Sequence, residues 1–300
     1  MKRITSYLSG IYNSPRHLLL HVLFLLTIGF LYLERQHENA LYYNIIRATR
    51  LLHPQTQNDT VYISHLMRTI NTMMYDRLAV FNNTEKLSIK NSIFQSVDAD
   101  LVYGHGACGG FSKVLARSLE LSGYDVRIGQ MKVNGQYGGH IIVEVFLNQT
   151  QRWAVIDPLF LLTFPSKKDG SWADFKEIKQ HWQQHYNRIV PAGYNLAYAY
   201  EDVRYTNWDK IPYAGKLIYR SLIFLINKNT IDSISIRASM LNMYAVWLWI
   251  ITGSYLLLCL FSYRRFQKRS IIRQKRAVAA HTSSSNGSIN EPPAKVESLG

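Results

Sequence analysis

The hydrophobic pattern of this 300-residue chain changes period several times. Two long apolar runs lie near its ends. "LLLHVLFLLTIGFLYL", Leu18 to Leu33, contains His21 among its apolar residues. "MYAVWLWIITGSYLLLCLFSY", Met243 to Tyr263, holds no formal charge over a length of roughly 31 Å as a helix, enough for a bilayer's hydrocarbon core. Between them the apolar residues first recur at helical spacing. "ALYYNIIRATRLL" and "TVYISHLMRTINTMMYDRLAVF" predict two amphipathic helices, and "EKLSIKNSIFQSV" a third, capped by Asn83 or Thr84. After "GHGACGG", which reads as a loop, Phe111, Val114, Leu115, Leu119 and Ser122 share one helical face, and Gly123 supplies a stop.

The period then becomes two. "YDVRIGQMKV", "HIIVEVF" and "WAVIDP" predict strands, with turns at "NGQYGG" and "LNQTQR" and an end at Pro158. A two-residue loop at Asn148 and Gln149 sets His140 directly opposite Asp157. A four-residue loop leaves them diagonal on the same face, and an odd loop separates them unless a bulge intervenes. "KLIYRSLIFLI", Lys216 to Ile226, is too short to span and predicts a core or interfacial helix.

Charge sharpens the reading of the two apolar runs. The chain carries 34 Lys and Arg against 20 Asp and Glu. From Arg35 to Asn242 the balance is only 23 against 17, so much of the excess flanks the runs. Lys2, Arg3 and Arg16 precede the first, and "YRRFQKRSIIRQKR" closes the second and follows it. Bases on the outer sides place both termini in the cytoplasm and the middle region outside. The first run has the length of a signal-peptide core as well, but no small-x-small cleavage site follows it, so an uncleaved anchor is expected. The expected organisation is a cytoplasmic N-terminus (1–17), an anchor (18–34), a helical segment (35–100), a strand-bearing domain (101–242), a transmembrane helix (243–263) and a basic cytoplasmic tail (264–300). From Ala277 the tail loses apolar periodicity, and disorder is expected there. The basic residues are read as topology signals and contacts to anionic lipid. No nucleic-acid recognition motif accompanies them.

The chain has two cysteines, Cys108 and Cys259. Cys259 lies inside the second apolar run. Cys108 lies among glycines at an expected helix N-terminus, where free amides and the helix dipole favour a thiolate. A nearby imidazole activates the thiol and later protonates a leaving group; a carboxylate orients the imidazole. Cys108, His140 and Asp157 supply that set in order. Each also has a bland reading: a buried small hydrophobe, a core histidine, a turn cap. The Cys108 backbone amide is one candidate oxyanion donor, and Tyr103 and Gln95 are candidates for the second. His105 is a nearby loop histidine. His181 and His185 in "HWQQH" share a helical face, but no glutamate follows the first as in zinc-protease motifs, so packing is expected there and no metal or cofactor is implied. The tyrosines of "YNLAYAYEDVRYTNW" line a groove or pack on the sheet; packing is the expectation.

From "GACGGFSKVLARSLELSGYDVRI" through "GGHIIVEVF" to "RWAVIDP", Gly106 to Pro158, the chain resembles the transglutaminase-like superfamily. The resemblance implies an α+β fold with a papain-like core and an antiparallel sheet, and a Cys108–His140–Asp157 triad. It leaves the reaction open among acyl transfer, peptide or other amide hydrolysis, and inactive relatives. Gly109 follows Cys108 with no tryptophan beside it, and no calcium-loop signature occurs, which moves the expectation away from protein crosslinking. The expected partners are membrane lipids and a peptide, protein or glycan-linked amide substrate in the envelope. The competing expectation is an inactive module of the same type that scaffolds an envelope assembly.

Overall fold

The structure, a computed structural model, describes residues 14–54, 58–81, 100–101, 108–191, 194–208 and 215–287. It is α+β. A five-stranded antiparallel sheet is preceded by helices, and two long apolar helices lie towards the chain ends. The chain divides into two units, residues 33–246 and residues 1–32 with 247–300.

In the larger unit, α1 (Pro15–Leu52) contributes its C-terminal part, followed by α2 (Asp59–Phe81) and α3 (Cys108–Leu121). The sheet comes next: β1 (Val126–Val133), β2 (Gln136–Leu147), β3 (Arg152–Asp157), β4 (Leu162–Thr163) and, after α4 (Phe175–Ile189), β5 (Val203–Arg204). Its order is β4-β3-β2-β1-β5. The period of two sorts the side chains. Ile141, Val143 and Val145 bury against Phe111 and Leu115 of α3, Leu66 and Ile70 of α2 and Tyr42 and Ile45 of α1. Ile142 and Val155 bury on the other face with Phe164, Ile178, Tyr194 and Tyr200. The expected third helix, 85–97, lies outside the described residues.

Local chemistry sets the boundaries. Gly123 has φ +91°. The Tyr124 amide bonds to the Leu119 carbonyl at 3.0 Å and the Gly123 amide to Glu120 at 3.0 Å, so α3 ends in a Schellman motif. The expected turn at 134–139 contracts to Asn134-Gly135, both at positive φ, which is the chemistry of a tight hairpin. Gly138 and Gly139 instead form a bulge in β2: Met131 pairs with His140 while Lys132 pairs with Tyr137. Gly138 sits at φ +94°, and a Cβ on Gly139 falls 2.5 Å from the Val133 Cβ, so both positions require glycine. Leu147 faces Arg152, which makes the β2–β3 loop four residues long, Asn148 to Gln151, the second of the three alternatives. Gln151 takes the left-handed conformation that closes it.

A buried cation ties α3 to the N-terminal helices. Arg117 Nε donates to Glu38 of α1 at 3.0 Å, its Nη2 to Asn39 at 2.7 Å and its Nη1 to Glu120 at 2.7 Å. Three short helices follow β5: α5 (Gly215–Leu225), α6 (Lys228–Asp232) and α7 (Ile236–Ser239). α7 is pinned to the sheet through its N-cap. Ser235 Oγ accepts from the Ile128 amide at 3.1 Å, and Thr206 Oγ1 accepts from the Ile236 amide at 3.0 Å.

In the smaller unit, the N-terminal part of α1 meets α8 (Met243–Gly287). Both helices are long and apolar enough to cross a membrane, and their apolar stretches are almost uncovered by protein. His21, a polar interruption of the first run, bonds through Nδ1 to Tyr255 Oη at 3.2 Å, and Phe24 stacks on the same ring. A polar contact between apolar helices satisfies a group that lipid cannot. α8 continues well past Tyr263. The segment from Ala277, expected to lack structure, is helical as far as Gly287; Ala277, Ala279 and Ala280 carry on a helix already nucleated by the apolar run and the Arg-, Lys- and Gln-rich turns before them.

Candidate active site

Cys108 is the first residue of α3 and is half-buried. The helix begins there, and the first amides of a helix have no intrahelical acceptor. A Cβ on Gly109 meets no atom within 4 Å, so the second position of α3 is open. One turn on, Ser112 Oγ donates to the Ile141 carbonyl at 3.0 Å, a buried bond that fixes α3 against the strand residue following His140.

His140 and Asp157 are completely buried. The register pairs Asp157's neighbour Ile156 with Val143, so His140 and Asp157 are diagonal on one face, the four-residue-loop case. His140 Nε2 lies 2.6 Å from Asp157 Oδ2. The other Asp157 oxygen accepts from the Phe160 amide at 3.5 Å. The turn after Asp157 is braced from α2: Asn71 Nδ2 donates to the Pro158 carbonyl at 2.8 Å and to that of Leu159 at 3.2 Å.

The second imidazole nitrogen, Nδ1, is buried and makes no hydrogen bond of good geometry. The group that acts on that ring besides Asp157 is Cys108. Burial opposes the imidazolium. The hydrogen bond to Asp157 and the neighbouring thiol outweigh burial and hold the His140 pKa up at about 9. Tyr198 adds to this. Its ring stacks on the imidazole with centroids 4.3 Å apart and planes 13° apart, and an aromatic face favours a cation. Phe160 closes a further side at 5.8 Å.

Arg237 of α7 completes the electrostatics. It keeps solvent-exposed surface, yet the protein around its guanidinium lowers its pKa. The charge of Cys108 pushes that pKa back up, so the two groups feel each other.

The structure thus brings Cys108, His140 and Asp157 together. Tyr103, Gln95 and His105 lie outside the described residues. His181 and His185 are both on α4, which is kinked at His181. His181 contacts Lys167 Nζ and His185 packs on Phe164. Among the described residues no third His, Cys, Asp or Glu joins them in a metal-binding group. The tyrosine-rich stretch divides: Tyr194 and Tyr200 are buried in the sheet's second core, while Tyr198 covers the histidine. Tyr198, Arg237 and Asn71 carried no signal in sequence beyond the aromatic richness around Tyr198.

No protein-family model, no curated protein and no solved structure matches the chain.

Proposed function

We propose that this chain is a membrane-anchored cysteine enzyme of transglutaminase-like type, with a papain-like core, acting on an amide or acyl bond of an envelope substrate. The observation that carries the reading is the buried His140–Asp157 pair at 2.6 Å on a ring that the Cys108 side chain also acts on.

The chemistry follows from those groups. His140 holds the proton and Cys108 attacks as thiolate, forming a carbon–sulfur bond at the carbonyl. The amides at the start of α3 offer donors for the oxyanion. Collapse breaks the bond to the leaving amine, which takes the proton from His140, and a thioester remains. Water or an acceptor amine then attacks, His140 recovers a proton, and the thiolate leaves. Asp157 keeps the imidazole oriented throughout, and the cation of Arg237 favours negative charge on the sulfur.

The test is a comparison of wild type with Cys108→Ala and Cys259→Ala at matched membrane levels, by growth phenotype and by iodoacetamide labelling. The expected result is loss of phenotype and of rapid labelling with Cys108→Ala alone. Full complementation by Cys108→Ala overturns the enzyme reading and leaves a scaffolding module.

A further inference from the structure

The site uses α3, the sheet, the Tyr198 loop and α7, but it gives no role to α5. That helix has a composition water does not tolerate. Of its eleven residues, "GKLIYRSLIFL", only Gly215 is buried. Leu217, Phe224 and Leu225 are 70%, 90% and 75% exposed, and Ile218, Ile223 and the adjoining Ile226 are exposed too. An isolated helix of this length is marginal in water even with good helix formers, and a contiguous exposed apolar face marks an interaction surface.

The exposed groups are ordered. At 100° per residue, Leu217, Ile218, Phe224 and Leu225 form one stripe with Ser221 inside it. Lys216 and Arg220 run along its edge, both exposed. On another side Tyr219 docks the helix to the domain: its hydroxyl donates to Asp232 Oδ1 at 2.9 Å, and its ring lies 5.6 Å from that of Trp208. α6 is itself anchored by the fully buried Ile231. α5 is therefore held by one side and bare on the other.

We propose that the bare side of α5 lies in the lipid–water interface of a bilayer, with Leu217, Ile218, Phe224 and Leu225 among the upper acyl chains and Lys216 and Arg220 at anionic headgroups. Two features favour lipid over a second copy of the chain. The helix carries two cations and no acid, so a symmetric contact brings like charges together, whereas anionic lipid neutralises them. And α5 belongs to the segment that leads through α6 and α7 directly into α8, one of the two helices able to cross a membrane. The proposal rests on the membrane reading of α1 and α8 and is independent of the chemistry of Cys108.

The experiment uses the full chain carrying Cys108→Ala and Cys259→Ala, in nanodiscs of phosphatidylcholine and phosphatidylglycerol. Single substitutions Phe224→Cys, Leu257→Cys and Asn148→Cys each receive an NBD label. Phe224 is so exposed that its replacement leaves the core untouched. Leu257 lies on the exposed surface of α8's apolar run, and Asn148 is an exposed hairpin-loop residue. The expected label at 224 is blue-shifted, quenched severalfold more by headgroup-proximal doxyl lipid than the label at 148, and shielded from aqueous iodide. Raising salt or omitting phosphatidylglycerol weakens the doxyl quenching. Iodide quenching at 224 equal to that at 148 overturns the proposal. Protection from both quenchers also overturns it, by showing a protein contact such as a second copy. Lipid quenching at 257 but not at 224 rejects the interfacial helix alone; its absence at 257 as well rejects the membrane reading with it.

Discussion

Asp157→Asn separates the electrostatic part of the His140–Asp157 contact from its shape. Asparagine fills the same space and keeps an oxygen that can accept, but it carries no charge. His140 is lifted from 6.5 to about 9 against its own burial. At 1.36 kcal/mol per pKa unit, that gap corresponds to about 3 kcal/mol in favour of the imidazolium. With the carboxylate gone, burial and the thiol remain and the pKa falls towards 6.5. At pH 7 the protonated fraction drops from roughly 99% towards roughly 25%. The assay is the His140 Cε1–H resonance, titrated in the solubilised full chain and assigned by its absence from His140→Ala. Stability follows the same titration. A folded pKa above the ordinary value gives stabilisation that is complete below pH 6.5 and is lost as pH rises through about 9. Wild type therefore loses thermal stability across that window, and the variant is nearly flat. Iodoacetamide labelling of Cys108 near pH 7.5 falls in the variant, because most of its imidazole is by then neutral. An Asp157→Asn protein whose imidazole still titrates near 9 refutes the assignment of that charge to Asp157.

Two further outcomes are expected. Arg237→Gln slows alkylation of Cys108 severalfold at neutral pH without changing the melting temperature, since the side chain is exposed and its backbone is held by Ser235; an unchanged rate removes Arg237 from the site. Glu38→Gln destabilises the domain by about 3 kcal/mol because Arg117 stays buried with less compensation, while Glu38→Leu with Arg117→Met recovers much of the loss; equal denaturation midpoints for single and double variants refute the desolvation account.

The parts of the site legible in sequence are those carried by short-range patterns. The apolar spacing of α3 and its Gly123 stop, the Asn-Gly turn and the alternation in β2 and β3 each announce their own geometry, and the last two bring His140 and Asp157 onto one face. The β2–β3 loop was ambiguous because Asn148 to Gln151 contains no glycine, and its left-handed residue is a glutamine. The bulge at Gly138 and Gly139 looked like turn residues, because a glycine pair serves either purpose. Tyr198 and Arg237 were hidden for a different reason. Each is positioned by contacts far along the chain: the tyrosine by the histidine it covers, α7 by Ser235 reaching Ile128 more than a hundred residues away. α5 was placed as core or interfacial by composition alone, and only its exposed side chains separate the two.

The half-buried position of Cys108 sets a limit on the lifetime of its chemistry. Small oxidants reach a partly exposed sulfur, while His140 and Asp157 are sealed from solvent. A sulfenic acid formed there needs a second thiol to be returned to the reduced form. The chain's other thiol, Cys259, lies within the apolar run of α8, which the membrane reading sets among acyl chains. Repair thus falls to a thiol supplied from outside the chain. Without one, oxidation continues to the sulfinic state, and under the proposed chemistry each molecule's total turnover is then governed by the redox poise of its surroundings as well as by its substrate.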